Sequence, residues 1–330
     1  MDSAKFRTLG AFGPGSVHGM GGDHRHNVGR RYRRGRRLHG SSRAVVAVVG
    51  TLLALLVFFA LFGVFITQYV PLWMTDNEAQ FTAQTQESFA TLKSDVDLQA
   101  ALGGPPSFGT PFVMSSQGIP LLAQPTAGTL NFNPKTPGIF ANVSFSPGPG
   151  NSGRLYQNLS LGTIAMTLAN RYYAPQQFSF EDDAVLQAQS PTQQIVAYPP
   201  SLNINVTGSQ VGVTLSLVQL LGNSTQAIST GTQEIFTHYV HSQSYTANNS
   251  LRPVSATFLL GTSYACGWYT FFLQEFQKTG IGSHAVLPTT SPCSGTTSYL
   301  PSTLEVTFNN LASFTLVLSE FTVDIGVGVE

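Results

Sequence analysis

Hydrophobic and polar positions divide the chain into three stretches with different periods. The first, Ala44–Ile66, is 23 residues long and carries no charge (AVVAVVGTLLALLVFFALFGVFI). As a helix, which rises about 1.5 Å per residue, it would reach roughly 35 Å and could cross a hydrocarbon core of about 30 Å. Tyr69 and Trp73 follow it where an aromatic belt would meet the outer lipid interface. The pattern predicts a transmembrane helix over residues 44–70.

The second stretch, residues 71–104, has the period of an amphipathic helix. It contains no Gly or Pro between Pro71 and Gly103, where Gly-Gly-Pro-Pro gives a strong stop signal. We expect a distortion at Pro71 and a helix start near Thr75, since acidic residues follow that position. The predicted stalk helix would present one apolar stripe to the rest of the chain. That stripe consists of Phe81, Thr85, Phe89, Leu92, Val96 and Leu102.

Short alternating runs separated by Gly, Pro and Asn fill residues 105–330 and predict β-strands. The expected strands lie near 110–115, 128–133, 141–146, 161–168, 178–188, 202–206, 211–217, 232–240, 256–261, 304–308, 314–318 and 321–329. One exception is Tyr264–Lys278, where Trp268, Phe272 and Phe276 recur every four residues and predict a helix packed on the sheets. The predicted fold class is mainly β, with a long N-terminal transmembrane-plus-stalk α-helix followed by a β-sandwich-like ectodomain with one packed helix.

Charge is distributed unevenly along the chain. Residues 1–43 hold ten of the 16 Lys and Arg residues and only two acids, Asp2 and Asp23. This Gly-, His- and Arg-rich arm has few large apolar side chains, so we expect it to be disordered. Cationic flanks stay on the cytoplasmic side, which predicts a cytoplasmic N-terminus and an extracellular segment over residues 71–330. The topology-determining run consists of Arg30, Arg31, Arg33, Arg34, Arg36 and Arg37.

The same basic run could contact nucleic-acid phosphates. Its position beside the apolar helix favours contact with anionic lipid headgroups instead. Membrane lipid is therefore an expected partner, and nucleic acid is not.

The predicted exterior part contains both cysteines and every glycosylation sequon. Cys266 and Cys293 would meet oxidising conditions there, which allow a disulfide, and two unlinked thiols are the alternative. Closing that loop would stabilise the fold by roughly 3–4 kcal/mol in the chain-entropy model. The glycosylation candidates are Asn142, Asn158, Asn205, Asn223 and Asn248.

The segment RAVVAVVGTLLALLVFFALF resembles the N-terminal segment of archaeal type IV pilin-like proteins, in which a basic residue precedes a small-apolar run, a Val-Gly-Thr-like step and a Leu/Val/Phe helix. The runs LGTIAMTLANRYYAPQQFSFEDDAVLQAQ and VTLSLVQLLGNSTQAISTGTQEIFT are similar to strands of β-rich surface proteins that carry this anchor. The resemblance covers residues 44–330. It implies assembly with copies of the chain, or with other pilin-like subunits, through the N-terminal helix.

The same resemblance implies a processing site between Gly40 and Ser41. The leader it would remove is longer than is usual for the family, and Val45 stands where many pilins have an acid. An uncleaved signal anchor that stays in the bilayer is the alternative interpretation.

Few residues suggest catalytic or metal chemistry. The chain has no G-x-S-x-G elbow, H-E-x-x-H motif, P-loop or paired C-x-x-C. His238 and His241 lie in a predicted strand, where their spacing would point them to opposite sides. Glu181, Asp182 and Asp183 could supply oxygen ligands to Ca²⁺, but an acidic turn is the commoner form of such a run. We predict no cofactor and no metal.

These observations predict a non-enzymatic, single-pass cell-surface protein that displays a β-sandwich outside the cell for assembly or adhesion. Surface glycans are a further expected partner. The alternative is a membrane-tethered extracellular hydrolase, either carbohydrate-active or proteolytic, which would need two convergent carboxylates or another catalytic set.

Overall fold

The computed structural model of the protein describes residues 41–104, 106–136, 139–146, 153–208, 210–248, 253–293 and 302–327. The basic arm, with its arginine run and Gly40, lies outside these residues. The chain divides into two compact units, residues 1–57 and residues 58–330.

Helices α1 (Ser41–Val64) and α2 (Val70–Leu102) are joined by a π-helical turn, Phe65–Tyr69. In that turn the Val70 N–H donates to the Phe65 carbonyl. Pro71, which has no N–H, follows at once, so the distortion expected at Pro71 takes the form of this wide turn. The predicted helix start at Thr75 is wrong, because the helix runs through it and its hydroxyl donates to the Pro71 carbonyl.

The C-terminal end of α2 is where the sequence predicted it. Gly103 adopts a left-handed conformation (φ 65°), and its N–H donates to the Gln99 carbonyl. Glycine suits that conformation because it has no Cβ to clash.

Helix α1 exposes its apolar side chains. From Val45 to Val64 the large apolar side chains are 41–71% exposed. Among the described residues, the helical segment Val45–Leu102 is the one long and apolar enough to cross a membrane.

The predicted fold class is confirmed, since the rest of the chain is β-rich. The described strands are β1 Phe108–Val113, β2 Gly128–Asn133, β3 Phe140–Ser146, β4 Gly153–Leu159, β5 Thr163–Leu168, β6 Gln176–Glu181, β7 Ala184–Ser190, β8 Gln193–Tyr198, β9 Leu202–Thr207, β10 Gln210–Gly222, β11 Thr225–Ile228, β12 Thr232–Asn248, β13 Val254–Thr262, β14 Ala285–Val286, β15 Ser302–Leu311 and β16 Ser313–Val327. The expected strand at 178–188 is a hairpin of β6 and β7. The expected strand at 314–318 and the described part of the one at 321–329 form the single strand β16, and residues 328–330 lie outside the described part.

The strands form three sheets. The long sheet has the order β1-β12-β16-β10-β9, the six-stranded sheet β11-β2-β5-β6-β7-β8, and the third sheet β14-β15-β13-β3-β4. In the long sheet β10 and β16 run parallel, while the other pairs of that sheet are antiparallel.

Strands of the long sheet contribute opposite faces to two separate cores. In β10, Val213 and Leu215 belong to a core with the third sheet and α3 (Ala265–Thr279), whereas Val218 and Leu220 belong to a core with the six-stranded sheet and α2. Odd and even positions of a strand point to opposite sides. The long sheet is thus covered on one side near one end and on the other side near the other end.

Helix α2 is one wall of the second core. Phe81, Phe89, Leu92 and Val96 are buried in it, and the Phe89 ring lies 5.0 Å from that of Phe112. Leu102 is 60% exposed, so its predicted place in the stripe is wrong. It follows Gln99, the last buried residue of the helix, and extends past the sheets.

Helix α3 confirms the helix predicted over Tyr264–Lys278. Trp268, Phe272 and Phe276 are buried, and Gly280 ends the helix in a left-handed conformation. The predicted disulfide joins Cys266 to Cys293, with Cα atoms 4.7 Å apart.

Candidate functional site: the polar contacts of helix α2

A buried carboxylate fixes the N-terminal part of α2 to a loop of the six-stranded sheet. We call this end of the helix, which is the one nearer α1, its lower end. Glu78 is fully buried, and its Oε2 accepts backbone N–H groups from Arg171 (3.0 Å), Tyr172 (2.7 Å) and Tyr173 (2.7 Å). Its Oε1 accepts the Thr126 hydroxyl at 2.6 Å. These donors belong to the β5–β6 loop and to the segment before β2, so one side chain ties two connections to the helix.

Hydrogen bonding keeps Glu78 ionised in spite of its burial. Burial disfavours the charged form, but the hydrogen bonds from Thr126 and from the backbone of Arg171, Tyr173 and Tyr172 outweigh it, and the pKa of Glu78 lies below its ordinary value. A carboxylate that accepts several backbone N–H groups is favoured in its charged form.

Neighbouring polar groups add contacts at the same level of the helix. The Thr75 hydroxyl approaches the Tyr172 carbonyl at 3.4 Å, and the Asn77 amide donates to the Gln117 carbonyl at 2.9 Å. The helix therefore holds two loops near its lower end, the one before β2 and the one before β6.

Higher on α2, a buried cation links the helix to the β6–β7 turn. Lys93 Nζ contacts Asp97 at 2.9 Å and Asp183 at 3.1 Å. The other oxygen of Asp183 accepts the Ser201 N–H at 2.8 Å. Gln99 continues the series by donating to the Thr237 hydroxyl at 2.8 Å.

Three consecutive acids, Glu181, Asp182 and Asp183, form a buried turn. Each is at most 2% exposed. Asp182 and Asp183 have positive φ (52° and 62°), as in a two-residue hairpin loop, and Glu181 pairs with Ala184. The chain therefore reverses between Glu181 and Asp183, in agreement with the acidic turn given above as the commoner form of such a run.

Glu181 faces the first core and contacts α3. Its Oε1 accepts the indole N–H of Trp268 at 3.0 Å and also the Thr262 hydroxyl. Within the described residues Glu181 Oε2 and Asp182 Oδ1 have no hydrogen-bond partner.

Burial changes how these acids titrate. It raises the pKa of Glu181 to about 7, although hydrogen bonds from Thr262 and Trp268 oppose the change. Burial also raises the pKa of Asp182 well above its ordinary value, and the charges of Asp183 and Glu181 add to that effect. The pKa of Asp183 is raised to about 6 by burial, against the attraction of Lys93.

The sign of the stability effect follows from these directions. A folded state that binds the Glu181 proton more tightly than the unfolded chain loses stability as pH rises from the ordinary value of 4.5 to about 7. Glu78 does the opposite: its lowered pKa stabilises the fold above pH 4.5, and that contribution is lost as pH falls further.

The structure does not arrange the acids as a metal site. Among the described residues, no group of three or more His, Cys, Asp and Glu side chains could hold a metal ion. The alternative of a Ca²⁺ site at residues 181–183 thus finds no ligand set in that part of the chain.

The two histidines of β12 lie differently from the prediction. A bulge between Tyr239 and His241 leaves His238 opposite Thr322 and His241 opposite Glu320. Since Glu320 and Thr322 lie on one side of β16, both histidines are on that side and the prediction of opposite sides is wrong. His241 Nδ1 is 3.5 Å from Glu320 Oε2.

The described surface has two cavities of note. One, of about 490 Å³, is bordered by Gln187, Gln193, Gln194, Thr270 and the disulfide. The other, of about 360 Å³, lies on the long sheet and is lined by neutral polar groups. Its lining residues include Asn203, Asn205, Thr214, Gln210 and Ser313. Among the described residues that border these cavities there is no carboxylate and no imidazole.

The remaining candidate residues are spread over the sheets. Asn205, Asn223 and Asn248 are exposed, Asn142 is half-buried in β3, and Asn158 lies in β4. Ser41 is the first described residue of α1, and Gly40 lies outside the described part. His284 Nδ1 lies 3.2 Å from the Asn309 and Asn310 carbonyls.

Sequence reasoning missed the roles of Glu78 and Lys93, two buried charged residues that fix α2. Their spacing of 15 positions is close to four helical turns, which places them on nearly the same face as Phe81 and Phe89. The signal that could have identified these two residues is a charged side chain on the apolar face of the predicted helix.

Comparisons with protein-family models, with curated proteins and with solved structures found no match to this chain.

Proposed function

We propose that this chain is a non-enzymatic, single-pass surface protein that holds a β-rich domain rigidly outside the cell. The observation that carries the proposal is that the two parts of the helical segment differ in exposure. Residues 45–64 expose a charge-free apolar surface, whereas residues 70–99 build one wall of the second core. Because the proposed anchor continues into α2, which packs in the second core, a force on the anchor acts directly on the domain.

The polar contacts of α2 support rigidity. Glu78, Lys93 and Gln99 tie the helix to loops and strands over about 21 residues, or roughly 30 Å of helix. Buried charged pairs cost stability when one partner is lost, so they favour a single arrangement of helix and sheets. The arginine run on the other side of the apolar segment supports a cytoplasmic N-terminus.

Adhesion is the function that the neutral surface supports best. Asn203, Thr214, Thr315 and Thr246 stand in one row across four strands of the long sheet. Amide and hydroxyl groups without net charge match the hydroxyl groups of surface glycans. The cavity of about 360 Å³ lies on this face.

A second candidate function is assembly into a filament through the anchor, as the pilin-like resemblance implies. The observation in its favour is the exposure of the large apolar side chains from Val45 to Val64, which lie on every side of α1 and could pack against other helices. Purified filaments, or cross-links between copies at Leu53, would favour this candidate over a lone anchored protein.

The hydrolase alternative has weaker support. Glycoside or peptide chemistry needs acids or nucleophiles that face a substrate cleft. The acids at 181–183 are buried, and the two cavities described above are bordered by amides, hydroxyls and apolar groups.

Protease protection of sealed cells tests the proposed topology. Protease added outside should digest residues 107–330 and leave a protected fragment that contains the basic arm. The L55R/L56R double variant should fail to remain in carbonate-washed membranes, since each Arg costs about 2.5–3.5 kcal/mol at a helix centre. L98R/L102R, at exposed positions of α2, is the matched control and should remain. An intact ectodomain after protease treatment would refute the topology.

A further inference from the structure

A cluster of exposed apolar and aromatic side chains surrounds the lower end of α2. Leu121 is fully exposed (105%), and Tyr172 and Tyr173 are 43% and 36% exposed. Leu122 and Trp73 are also exposed, at 37% and 45%. We call the turn Gly118–Ala123 and the loop Arg171–Tyr173 the collar loops.

Hydrogen bonds to α2 fix the height of the first collar loop. The chain approaches Asp95 at Thr110, Ser88 at Pro111 and Asn77 at Gln117. As the residue numbers of this segment rise, those of its helix partners fall, so the chain descends along α2 toward the apolar segment. The turn after Gln117 lies beyond the level of Asn77, and the two residues that lead from Gln117 to the turn at Ile119 can add up to about 7 Å.

Neither the backbone conformation nor the exposure of Leu121 explains why this position holds a leucine. The Leu122 N–H donates to the Ile119 carbonyl, Pro120 stands second in this turn, and Leu121 stands third with φ 65°. Position three of such a turn normally holds Gly or Asn. A bulky residue there costs roughly 1–2 kcal/mol, and full exposure gives no packing in return. Contacts with the described residues therefore do not offset this cost.

The second collar loop lies at a matching height. Glu78 holds the backbone of Arg171, Tyr172 and Tyr173, as described above. The side chains of all three residues are exposed. Tyrosine and arginine suit a membrane interface, where rings meet the acyl boundary and guanidinium groups meet phosphate.

The body of the protein reaches down to the same depth. Val70 and Met74 are buried (4% and 0% exposed), while Tyr69 and Trp73 on the other face are open. Val70 follows Ile66, the last residue of the strongly apolar run Ala44–Ile66, by four residues or about 6 Å. A headgroup layer is about 5–8 Å thick on each side of the hydrocarbon core. The collar loops are held at Asn77 and Glu78, 11 and 12 residues or roughly 17 Å beyond Ile66. They therefore face the headgroup layer from its outer side if the apolar segment spans the bilayer, and the parts of the loops that extend toward that segment are the ones that reach the layer.

We propose that the collar loops insert into the outer headgroup layer of the bilayer and fix the domain against the membrane. Leu121 and Leu122 enter the acyl boundary, Tyr172 and Tyr173 extend the aromatic belt of Tyr69 and Trp73, and Arg171 meets lipid phosphate. The inference rests on the proposed anchoring, and continuity with the membrane segment favours lipid over a protein partner.

Site-directed spin labelling of the full chain in phosphatidylcholine nanodiscs tests the proposal. Single labels are placed at Leu121, at Leu56 in the anchor and at Val206 near the β9–β10 turn, with the native disulfide kept intact. Val206 is the matched control because it is 46% exposed, apolar and at the opposite end of the long sheet. The readout is the ratio of collisions with oxygen, which concentrates in lipid, to collisions with a water-soluble nickel chelate.

The proposal requires the ratio at Leu121 to exceed that at Val206 several-fold, with Leu56 higher still. Equal ratios at Leu121 and Val206, with Leu56 in lipid, would overturn the collar while leaving the anchor intact. A water-exposed label at Leu56 would overturn the anchor itself. A label at Leu121 shielded from both reagents would show a protein contact, such as a second copy, and would also overturn the lipid proposal.

Discussion

Removing the Glu78 carboxylate is the sharpest test of how the helix is fixed to the sheets. In Glu78→Ala, three part-buried backbone N–H groups and the buried Thr126 hydroxyl lose their acceptor. A fully buried group left without a partner costs about 1–3 kcal/mol, and access of water to the loop reduces the sum here. We expect the free energy of unfolding to fall by about 3–5 kcal/mol.

Glu78→Gln separates charge from shape. Its amide oxygen can still accept the backbone donors at the place of Oε2, and its amide nitrogen can donate to the Thr126 hydroxyl. Charge-assisted hydrogen bonds are roughly twice as strong as neutral ones, so we expect a smaller loss of about 1–2 kcal/mol. Glu87→Ala, at an exposed position of the same helix, is the control and should stay within about 0.5 kcal/mol of the parent.

Two measurements check this ordering. Urea unfolding of the full chain in detergent, followed by the fluorescence of buried Trp268, reports global stability. Hydrogen exchange at the amides of Tyr172 and Tyr173 reports the loop directly and should accelerate in both Glu78 variants. The difference between Glu78→Gln and the parent should shrink as pH falls below about 4.5, because the unfolded chain then takes up a proton at Glu78 before the folded carboxylate does. Equal stability of Glu78→Ala and Glu87→Ala, with unchanged exchange at these amides, would refute the reasoning.

Three further changes test other parts of the fold. Glu181→Gln should reduce the loss of stability between pH 5 and 8, leaving the variant more stable than the parent at pH 8 by up to about 3 kcal/mol, as measured by urea unfolding at both pH values. Phe89→Ala should cost about 3–5 kcal/mol and exposed Leu102→Ala almost nothing, and equal melting temperatures would contradict the described packing of α2. Reducing the bond between Cys266 and Cys293, which are 27 positions apart, should lower the free energy of unfolding by about 3.5 kcal/mol, and free thiols in the untreated protein would disprove the bond itself.

Local patterns were enough to predict the helices and most strands. Gly103 ended α2 because a left-handed residue was needed there, and the four-residue spacing of Trp268, Phe272 and Phe276 predicted α3. Such features depend on residues close in sequence, so propensity and periodicity contain them.

Features that depend on distant residues could not be predicted in this way. The bulge beside His241 arises from pairing with β16, and it reversed the expected directions of the histidines. Burial of Glu78 depends on a loop more than 90 positions away, so its sequence context gave only the appearance of an exposed helical acid. Leu102 had the period of the stripe but lay past the sheets that cover it.

The passage of β10, β12 and β16 through both cores has a mechanical consequence. A pull on the end of the long sheet near Asn205, against α2 at its other end, loads these strands lengthwise. Neighbouring strands would then have to slide past each other, which requires many ladder hydrogen bonds to break together rather than one at a time. The two cores therefore resist tension as one body, and the domain should stay folded under loads that would peel apart a chain of separately tethered modules.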